Sequence, residues 1–394
     1  MSILTVNAGS STLKFSLYPY TDQQVLPQIL SGCIEGLEPG GAPQLTWLWQ
    51  GKYHARDLHF EPGPAFAQAL HSLRQLLGEI DGVTTPKVVA HRVVHGGKQY
   101  RSSVLVDDKV LADLTGLISL APLHQPHNVE GIRAFTQAFD QVPQVACFDT
   151  AFHATLPEVN YRFALPEVLF KQGLRRYGFH GLSYQYVIGA LQQHTERAKG
   201  RVLMAHLGNG ASLCAARNGH SCATTMGFSA LDGLMMGTRT GSLDAGVMLY
   251  LLEQGWDHDR LQQLFYKQSG LLGVSGMSAD MRHLRQDHSD RAKLAIEMFV
   301  YRMVYESGAM MACLQGLDVL AFSGGIGEHD VNLRREVTRR LGWMGVEIDA
   351  DLNAQATRHA IMAIHAPASR VEVWVVPTDE GIVCAREAAQ LISR

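Results

Sequence analysis

Two short apolar segments near the N-terminus flank a loop of small polar residues. Residues 3–6 are apolar or β-branched, and residues 13–18 alternate as a half-buried strand does. The loop Asn7-Ala-Gly-Ser-Ser-Thr12 can turn tightly and can face an anion with its amides and hydroxyls, and Lys14 adds a positive charge nearby. The pattern predicts two strands joined by this loop, as either an ordinary polar hairpin or an anion-binding hairpin.

The rest of the first 150 residues alternates between predicted strands and helices. Apolar residues spaced three or four apart after Pro64 predict an amphipathic helix with Leu70, Leu73 and Leu77 on one face. The other predicted elements are strands within 31–52, at 87–94 and at 142–148, and a helix at 108–120 that is closed by a turn at 121–128. This order favours an α/β domain over residues 1–150, with a mixed sheet and helices packed against it.

The second half of the chain repeats the strand–loop–strand plan. Strand 202–205, the loop His206-Leu-Gly-Asn-Gly-Ala-Ser212 and strand 213–216 follow a helix predicted around 184–194. One interpretation is a weak internal repeat, in which two related domains each bring a glycine-bearing hairpin to a shared cleft; the other is two unrelated hairpins. We expect a second domain over 151–380, with a C-terminal helix, 381–394, packing back on the first. Later elements are a long helix capped by Ser289, a strand at 371–376 and a helix opening at Pro377-Thr-Asp-Glu380.

Two further glycine-rich segments predict close approach of the backbone to a ligand. Residues 226–246 contain five glycines around Arg239. Residues 323–328 follow a buried strand at 318–322 and precede a helix predicted from about Asp330, an arrangement suited to an anion or nucleotide because the helix N-terminus carries partial positive charge.

Composition and charge exclude several classes of protein. The 394 residues are 46% hydrophobic and 18% charged with a net charge of −3, which favours a two-domain globular protein and disfavours nucleic acid or an acidic membrane as the main partner. Strand residues begin at Ile3 and no apolar run reaches membrane-spanning length, so we expect no signal peptide and no membrane segment. Six scattered cysteines without a Cys-x-x-Cys pair are typical of reduced thiols in a cytoplasmic protein.

Motifs of other nucleotide-binding and hydrolytic enzymes are missing. The chain has no Gly-x-x-x-x-Gly-Lys-Ser/Thr loop, no complete Gly-x-Gly-x-x-Gly and no Gly-x-Ser-x-Gly elbow. His91 and His95 lie at a predicted strand end, where a spacing of four does not bring two imidazoles together, so a zinc site is disfavoured.

A series of blocks resembles the acetate kinase family in order and over the whole chain. The blocks are Val6-Asn-Ala-Gly-Ser-Ser-Thr-Leu-Lys-Phe-Ser16, His91-Arg-Val-Val-His-Gly-Gly97, Phe148-Asp-Thr-Ala-Phe-His153, Arg176-Tyr-Gly-Phe-His-Gly181, His206-Leu-Gly-Asn-Gly-Ala-Ser212, Gly233-Leu-Met-Met-Gly-Thr-Arg239, and residues 270–282, 323–328 and 377–380. The resemblance implies a duplicated actin-like (ribonuclease H-like) α/β fold with an ATP cleft between two domains, in a homodimer. It also implies Mg²⁺- or Mn²⁺-dependent phosphoryl transfer from ATP to a short-chain carboxylate, giving ADP and an acyl phosphate.

The resemblance implies four catalytic residues. Arg92 would hold the acceptor carboxylate and Arg239 the carboxylate or the transferring phosphoryl group. His180 would donate a hydrogen bond to that group in the transition state, and Asp149 would polarise the site. Each has a structural alternative: Arg92 could simply pair with Asp149, Asp149 could cap a helix, and His180 could be a core histidine.

The resemblance also implies binding residues. Asn7 and Glu380 would hold the metal, directly or through water. The acyl pocket would be lined by Arg92, Val94, Leu123, Phe179 and Ala230. The ATP contacts would be Lys14, His206, Leu207, Gly208, Asn209, Gly210, Asp280, Met281, Arg282, Gly325, Ile326, Gly327, Glu328 and His329.

Several positions depart from the family pattern. Ala230 stands where a pocket-lining proline is usual, Asp379 and His329 each replace an asparagine, and Gly381 replaces a second glutamate. Ala230 could admit propionate or a longer acid, whereas Val94 favours acetate. The alternatives are therefore a propionate or other short-chain kinase and, from different classes, a non-catalytic actin-like or heat-shock-ATPase-like switch or a sugar kinase.

Overall fold

The computed structural model describes residues 1–21, 24–80, 83, 85–356 and 360–393, so the last residue of the predicted C-terminal helix lies outside the described part. The chain divides into two compact units. Unit 1 comprises Met1–Ala151 and Asp379–Arg394, and unit 2 comprises Phe152–Thr378. Within the described ranges, no helix combines the length and the apolar character that crossing a membrane requires.

Unit 1 is built on a mixed sheet. Its strands are β1 (Ser2–Ala8), β2 (Leu13–Thr21), β3 (Gln24–Val25), β4 (Leu30–Glu35), β5 (Gln44–Trp49), β6 (Lys52–Asp57), β7 (Val88–Val93), β8 (Val104–Leu105) and β9 (Gln144–Phe148). The strand order is β6-β5-β4-β2-β1-β7-β9-β8, and β3 pairs with β2. The central strand β1 is antiparallel to β2 and parallel to β7, which is parallel to β9. The predicted N-terminal hairpin is confirmed, and Asn7 lies opposite Lys14 in its register.

Four helices accompany this sheet in the described part of unit 1: α1 (Ala65–Glu79), α2 (Asp108–Gly116), α3 (Gln125–Ala138) and the C-terminal α15 (Glu380–Ile392), with a 3₁₀ helix at Ile118–Leu120. Helix α1 buries the predicted leucine face in the same core cluster as Leu4, Leu13 and Phe15 of the hairpin. Helix α3 begins within the segment predicted as a turn, because its inward face starts with buried polar residues, Gln125 and Asn128, that hide the apolar period.

Unit 2 repeats the sheet plan of unit 1. Its strands are β10 (Arg201–Leu207), β11 (Ala211–Arg217), β12 (His220–Thr224), β13 (Val319–Ser323), β14 (Met362–Ala363) and β15 (Glu372–Val375), in the order β12-β11-β10-β13-β15-β14. Strand β10 is antiparallel to β11 and parallel to β13, and β13 is parallel to β15. The order β4-β2-β1-β7-β9 in unit 1 has the same directions, so the internal repeat predicted from the two glycine-bearing hairpins is a repeat of topology.

The described helices of unit 2 are α4 (Glu158–Tyr161), α5 (Glu167–Lys171), α6 (Gly181–His194), α7 (Ala245–Glu253), α8 (His258–Lys267), α9 (Gly270–Ser275), α10 (Met281–Gln286), α11 (Asp290–Leu314), α12 (Gly324–His329), α13 (Val331–Arg340) and α14 (Ala350–Gln355), with 3₁₀ helices at Ala151–Thr155, Glu196–Lys199 and Gly342–Met344. Ser289 caps α11 by accepting from the amide of Ala292, as predicted. The glycine-rich loop predicted at 323–328 is wrong, because α12 starts directly after β13.

Candidate active site

Arg92 forms the centre of a charged cluster in unit 1. It lies near the end of β7, and Asp149 directly follows the neighbouring parallel strand β9, so both side chains emerge at one edge of the sheet. Arg92 Nη2 lies 2.8 Å from Asp149 Oδ2, Nε lies 3.1 Å from Oδ1, and Nη1 lies 2.7 Å from Glu380 Oε2 at the start of α15. The ion pair between Arg92 and Asp149, the structural alternative left open by the sequence, is therefore present.

The cluster leaves Arg92 with donors to spare. Burial lowers the pKa of the guanidinium, but the charges of Asp149 and Glu380 outweigh it and raise the pKa above its ordinary value. A guanidinium has five N–H groups, and these contacts occupy those on Nε, Nη1 and Nη2 only in part. The side chain of Arg92 keeps 22% of its surface exposed, against 3% for Asp149. Arg92 is therefore rigidly held and still able to donate to a further acceptor.

A buried amide positions this edge of the sheet. Asn128, on α3, donates from Nδ2 to the carbonyl of Ala8 at 3.0 Å and accepts from the amide of Val94 at 2.9 Å. It thereby joins the end of β1 to the residue after β7, two residues from Arg92. The sequence placed Asn128 only at the end of the turn predicted at 121–128, and nothing in its spacing reveals this role.

The metal ligands predicted from the resemblance both belong to unit 1. Asn7 lies near the end of β1 and is half-buried, and Glu380 is the first residue of α15. Amide and carboxylate oxygens suit Mg²⁺, which keeps several waters and needs only one or two protein carboxylates. The charges of Arg92, Asp149 and Glu380 sum to −1, so the cluster also favours a cation. Across the described ranges there is no group of three or more His, Cys, Asp or Glu that could form an all-protein metal site.

The departures at Asp379 and Gly381 have a common structural explanation. Tyr18 on β2 donates its hydroxyl to Asp379 Oδ1 at 2.9 Å, and the same carboxylate oxygen caps α15 through the amide of Ile382 at 3.0 Å. A Cβ added at Gly381 would collide with the Tyr18 hydroxyl and lie 3.2 Å from Thr5 Oγ1. The phenol of Tyr18 therefore occupies the space that a larger residue at position 381 would need.

His180, a predicted catalytic residue of unit 2, lies at the start of α6. It is the N-cap of α6 and adopts a left-handed backbone conformation, with φ of 59°, which a non-glycine residue rarely adopts. Its Nδ1 lies 2.8 Å from Ser212 Oγ, and its ring stacks on His206 with centroids 4.3 Å apart. His153 contacts the backbone just before His180, because its Nε2 lies 2.9 Å from the carbonyl oxygen of Phe179. His180 is partly exposed and is therefore not a core histidine.

The predicted phosphate loop follows β10. His206 Nδ1 lies 2.8 Å from the hydroxyl of Ser183, and Gly208 donates its amide to the carbonyl of Gly210 at 3.0 Å. Asn209 is exposed, and its carbonyl accepts from the amide of Gly237 in the second glycine-rich segment at 3.0 Å. Leu207 is completely buried, backbone included, so it offers no exposed surface for the predicted contact with ATP.

Arg239 and His180 converge on Gly210. A methyl group added at Gly210 would lie 3.5 Å from His180 Nε2 and 3.6 Å from Arg239 Nη1. Arg239 donates to the carbonyl of Ala230 at 3.1 Å, and no Asp or Glu in the described ranges lies within ion-pair distance of it. Burial lowers the pKa of Arg239, which still leaves a guanidinium charged at neutral pH. A positive charge with no counter-ion among the described residues and an imidazole nitrogen therefore both lie within 3.6 Å of one point beside Gly210.

The predicted acyl-pocket residues differ in exposure. Val94, Leu123 and Ala230 are half-buried, and the side chain of Phe179 is 2% exposed. Val94 and Leu123 belong to unit 1, whereas Phe179 and Ala230 belong to unit 2. The carbonyl of Ala230 is also the acceptor that orients Arg239, so this departure from the family pattern lies beside a catalytic candidate.

The predicted adenosine-facing residues of α10 are not equally available. Asp280 caps α10 and pairs with Arg282, their closest atoms 2.6 Å apart, and this hydrogen bond lowers the pKa of Asp280 to about 2. Arg282 is exposed, but Met281 is 3% exposed and packs in the core. Of these three residues, Asp280 and Arg282 have side chains that a ligand can reach.

The predicted anion site at α12 already contains a carboxylate from the same helix. Glu328 Oε1 accepts from the amides of Gly324 at 2.9 Å and Thr378 at 3.1 Å, so the first helical amide is bonded internally. Gly327 is buried like Glu328, whereas Gly325 and His329 are exposed and Ile326 is half-buried. The surface left for a ligand on α12 is therefore that of residues 325, 326 and 329.

The comparisons with known proteins agree on one family. A family model described as the Acetokinase family matches residues 2–386. The chain belongs to the acetokinase family. It is 46% identical over 397 residues to an acetate kinase of Rhodopseudomonas palustris, covering 99% of this chain and 98% of the relative.

Two solved kinase structures have the same fold as this chain. An acetate kinase of Porphyromonas gingivalis superimposes with a TM-score of 0.88 at 35% identity, covering 99% of each chain. A propionate kinase of Francisella tularensis subsp. tularensis SCHU S4 gives a TM-score of 0.90 at 35% identity, covering 98% of each chain. The duplicated actin-like fold expected from the sequence is confirmed.

Sequence reasoning missed the residues that support the site. Ser212 ends a recognised block and Asn128 ends a predicted turn, but both side chains are uncharged and neither position indicates the partner that it contacts. Arg334 is completely buried and donates to the carbonyls of Gly327, Glu328 and Asn353 at 2.8–2.9 Å. In the sequence, Arg334 cannot be distinguished from a surface residue of an amphipathic helix. Its burial and its hydrogen bonds show that it links α12 to α14.

Proposed function

We propose that this acetokinase-family chain catalyses reversible, Mg²⁺-dependent transfer of the γ-phosphoryl group of ATP to acetate, giving acetyl phosphate and ADP. The observation that carries the proposal is the space beside Gly210, which Arg239 and His180 face without a described carboxylate partner for the guanidinium. A cationic and a neutral donor with no counter-anion among the described residues are suited to an anion whose charge spreads over several oxygens, as that of a transferring phosphoryl group does.

Arg239 and His180 have complementary tasks in this reaction. A carboxylate oxygen of acetate attacks the γ-phosphorus, and the bond from that phosphorus to the bridging oxygen of ADP breaks. Arg239 neutralises charge on the phosphoryl oxygens and His180 donates a hydrogen bond from its ring, so both interactions strengthen as the transition state forms. Their attachment to a rigid helix cap and a glycine-rich loop keeps both donors in place before the reaction.

Arg92 and Asp149 serve the acceptor. The remaining N–H groups of Arg92 bind the acetate carboxylate, and Asp149 holds the guanidinium in a fixed orientation through two hydrogen-bonded nitrogens. Asp149 does not need to act as a base, because a carboxylate nucleophile has no proton to lose at neutral pH. Val94 and Leu123 of the same unit supply apolar contacts to the methyl group.

Mg²⁺ is assigned to Asn7 and Glu380. When bound, the ion neutralises phosphate charge as it does in other phosphoryl transfers. Glu380 is shared with Arg92, so we expect the ion to be held mainly through water and the nucleotide phosphates. We assign to ATP Lys14, the backbone of residues 206 and 208–210, the side chains of Asp280 and Arg282, and residues 325, 326 and 329.

Acetate is preferred to propionate as the acceptor on the balance of relatives. The Rhodopseudomonas palustris relative, at 46% identity, is an acetate kinase, whereas the propionate kinase structure is 35% identical, as is the Porphyromonas gingivalis acetate kinase structure. One methylene group changes discrimination by only about 1–3 kcal/mol, so measurable activity on propionate is compatible with the proposal.

The test is hydroxylamine capture of the acyl phosphate with ATP and Mg²⁺ over acetate, propionate, butyrate and glycerol. We expect the highest kcat/KM with acetate, a lower value with propionate and no product with glycerol. Product from propionate in preference to acetate would transfer the proposal to the alternative acceptor, and no product from any acid would refute it. Arg239→Ala should abolish turnover, while Arg282→Ala, which removes an exposed arginine of the same unit, should change mainly KM for ATP.

A homodimer is proposed from the apolar surface of unit 2. Helix α7 buries none of its residues although Val247, Met248, Leu249 and Tyr250 are all apolar and exposed. A helix that is apolar all round is normally covered. We expect a dimer by light scattering that Leu249→Glu converts to a monomer, whereas Val159→Glu, at an exposed valine of the short helix α4, should leave the dimer intact.

A further inference from the structure

Two buried hydroxyl groups lie behind His180 in unit 2. Ser212 Oγ, on β11, lies 2.8 Å from His180 Nδ1 and 2.5 Å from the hydroxyl of Tyr184 on α6. Ser212 is completely buried and Tyr184 is 1% exposed, so water does not compete for these contacts. Tyr184, Ser212 and His180 thus form a row of three hydrogen-bonded side chains. Helix α6 fixes the two ends of this row relative to each other, because the amide of Tyr184 donates to the carbonyl of His180 one turn earlier at 3.0 Å.

The donors and acceptors of this row can be assigned. Burial raises the pKa of Tyr184 well above its ordinary value, so the phenol keeps its proton. A phenol is a stronger acid than an aliphatic hydroxyl and therefore the better donor, so we assign the proton in the 2.5 Å contact to the Tyr184 hydroxyl, which donates it to Ser212 Oγ. The Ser212 hydroxyl then donates to His180 Nδ1.

We propose that Ser212, oriented by Tyr184, is a positioning residue that fixes the tautomer of His180 with the proton on Nε2. An imidazole whose Nδ1 accepts a hydrogen bond carries its proton on Nε2 when neutral. Nε2 is the nitrogen that lies 3.5 Å from the methyl position at Gly210, on the side where Arg239 Nη1 lies 3.6 Å away. The row therefore directs the Nε2–H group of His180 towards the position beside Gly210 where the transferred phosphoryl group is proposed to bind. This inference rests on the proposed function only for what the donor binds.

The tautomer can be measured without any activity. In protein with ¹⁵N-labelled histidine, the long-range proton–nitrogen spectrum distinguishes Nδ1–H from Nε2–H, and the His180 signals are those that His180→Ala removes. We expect Nε2–H in the unmutated chain and a mixture of tautomers in Ser212→Ala. A predominant Nδ1–H tautomer in the unmutated chain would overturn the proposal, and so would an unchanged His180 spectrum in Ser212→Ala.

Kinetics then separates a role through His180 from a structural role. Ser212→Ala should lower kcat by about 10- to 100-fold while KM for ATP changes little, as expected when the residue that orients a catalytic group is removed. Tyr184→Phe should have a smaller effect, and Ser212→Thr should restore activity because it keeps the hydroxyl. In a His180→Ala background, Ser212→Ala should cause no further loss; an equal loss in both backgrounds would overturn the proposal.

The outcomes also distinguish this inference from the proposed kinase activity. If the unmutated chain makes no acyl phosphate, the proposed function fails, while the tautomer measurement still decides the role of Ser212. If Ser212→Ala does not fold, Tyr184→Phe, which keeps the ring, is measured in the same spectrum and must shift the His180 tautomer.

Discussion

Gly210→Ala is the most direct test of where the transferred group binds. The added methyl group would have no neighbour closer than 3.5 Å, which is ordinary van der Waals contact, and the glycine is not held at positive φ. We therefore expect the variant to fold with unchanged stability. The methyl group would nevertheless stand between His180 Nε2 and Arg239 Nη1, where phosphoryl oxygens must lie to accept from both.

The expected effect on catalysis follows from that geometry. An oxygen needs an approach of about 2.7–3.1 Å to a donor nitrogen in the transition state, so a methyl group at this position separates the phosphoryl group from at least one of the two donors. Losing one such donor costs about 2.7–4 kcal/mol, or about 10²–10³ in kcat. Because the donors act mainly in the transition state, kcat should fall more than KM for ATP rises.

The assay compares acetyl phosphate formation and thermal unfolding with those of a matched control. Gly189→Ala lies on the exposed surface of α6, the helix that His180 caps, and its methyl group would meet no atom within 4 Å. It should leave kcat unchanged and raise stability by about 0.5–1 kcal/mol, as removal of a helical glycine does. If Gly210→Ala folds and keeps kcat within about twofold of the unmutated chain, a difference below about 0.5 kcal/mol, the phosphoryl group does not bind between these donors.

The remaining predictions concern the supports of each unit. Arg334→Ala should lower the free energy of unfolding in urea by roughly 3 kcal/mol or more, because several buried carbonyls each lose a donor worth about 1–3 kcal/mol; a loss below about 1 kcal/mol would contradict the structural role of this arginine. Gly381→Ala should destabilise unit 1, because the added methyl group collides with the Tyr18 hydroxyl. Adding Tyr18→Phe to this variant should restore part of the lost stability. Equal melting temperatures of Gly381→Ala and of the double variant would contradict this explanation. His91, His95 and His153 are buried, and burial lowers each pKa to about 4. The unfolded chain binds these protons first, so the stability they contribute is complete above the unfolded pKa of about 6.5 and falls between about pH 6.5 and 4, at up to about 1.4 kcal/mol per histidine per pH unit. Denaturant titrations across this range should show the fall, and a flat profile would contradict the buried, neutral state of these imidazoles.

The strands and most long helices could be predicted from the sequence because their signals are local. The leucine spacing of α1, the Ser289 cap of α11 and the apolar run of β7 each determine an element without reference to distant residues. Helix α3 was not predicted, because buried polar side chains replace apolar ones on its inward face. Helix α12 was not predicted, because its glycines suggest a loop. The carboxylate that stabilises its first turn, that of Glu328, lies near the other end of the helix.

The site could be predicted only as far as charged residues and glycines show it. Arg92, Asp149, His180 and Arg239 stand in recognisable blocks, but their partners are far apart in the sequence. Tyr18 and Asp379, whose side chains bond, are 361 residues apart, and His180 and Ser212 are 32 apart. Such contacts depend on strand order and helix packing, which a sequence pattern does not contain.

Three arginines illustrate why burial and charge together, and neither alone, indicate a functional role. Arg334 is the most deeply buried, but backbone carbonyls and an amide satisfy its donors, so it needs no anion. Arg92 is neutralised by two carboxylates and can offer only its remaining N–H groups to a small acceptor. Arg239 has a neutral carbonyl and a thioether for partners among the described residues. A desolvated charge with neutral partners is stabilised when an anion binds, so we expect Arg239→Lys, which keeps the charge but loses the planar donor set, to retain ATP binding and lose most of its turnover. Unchanged turnover in that variant would show that charge alone, and not the direction of the Arg239 donors, acts on the transferring group.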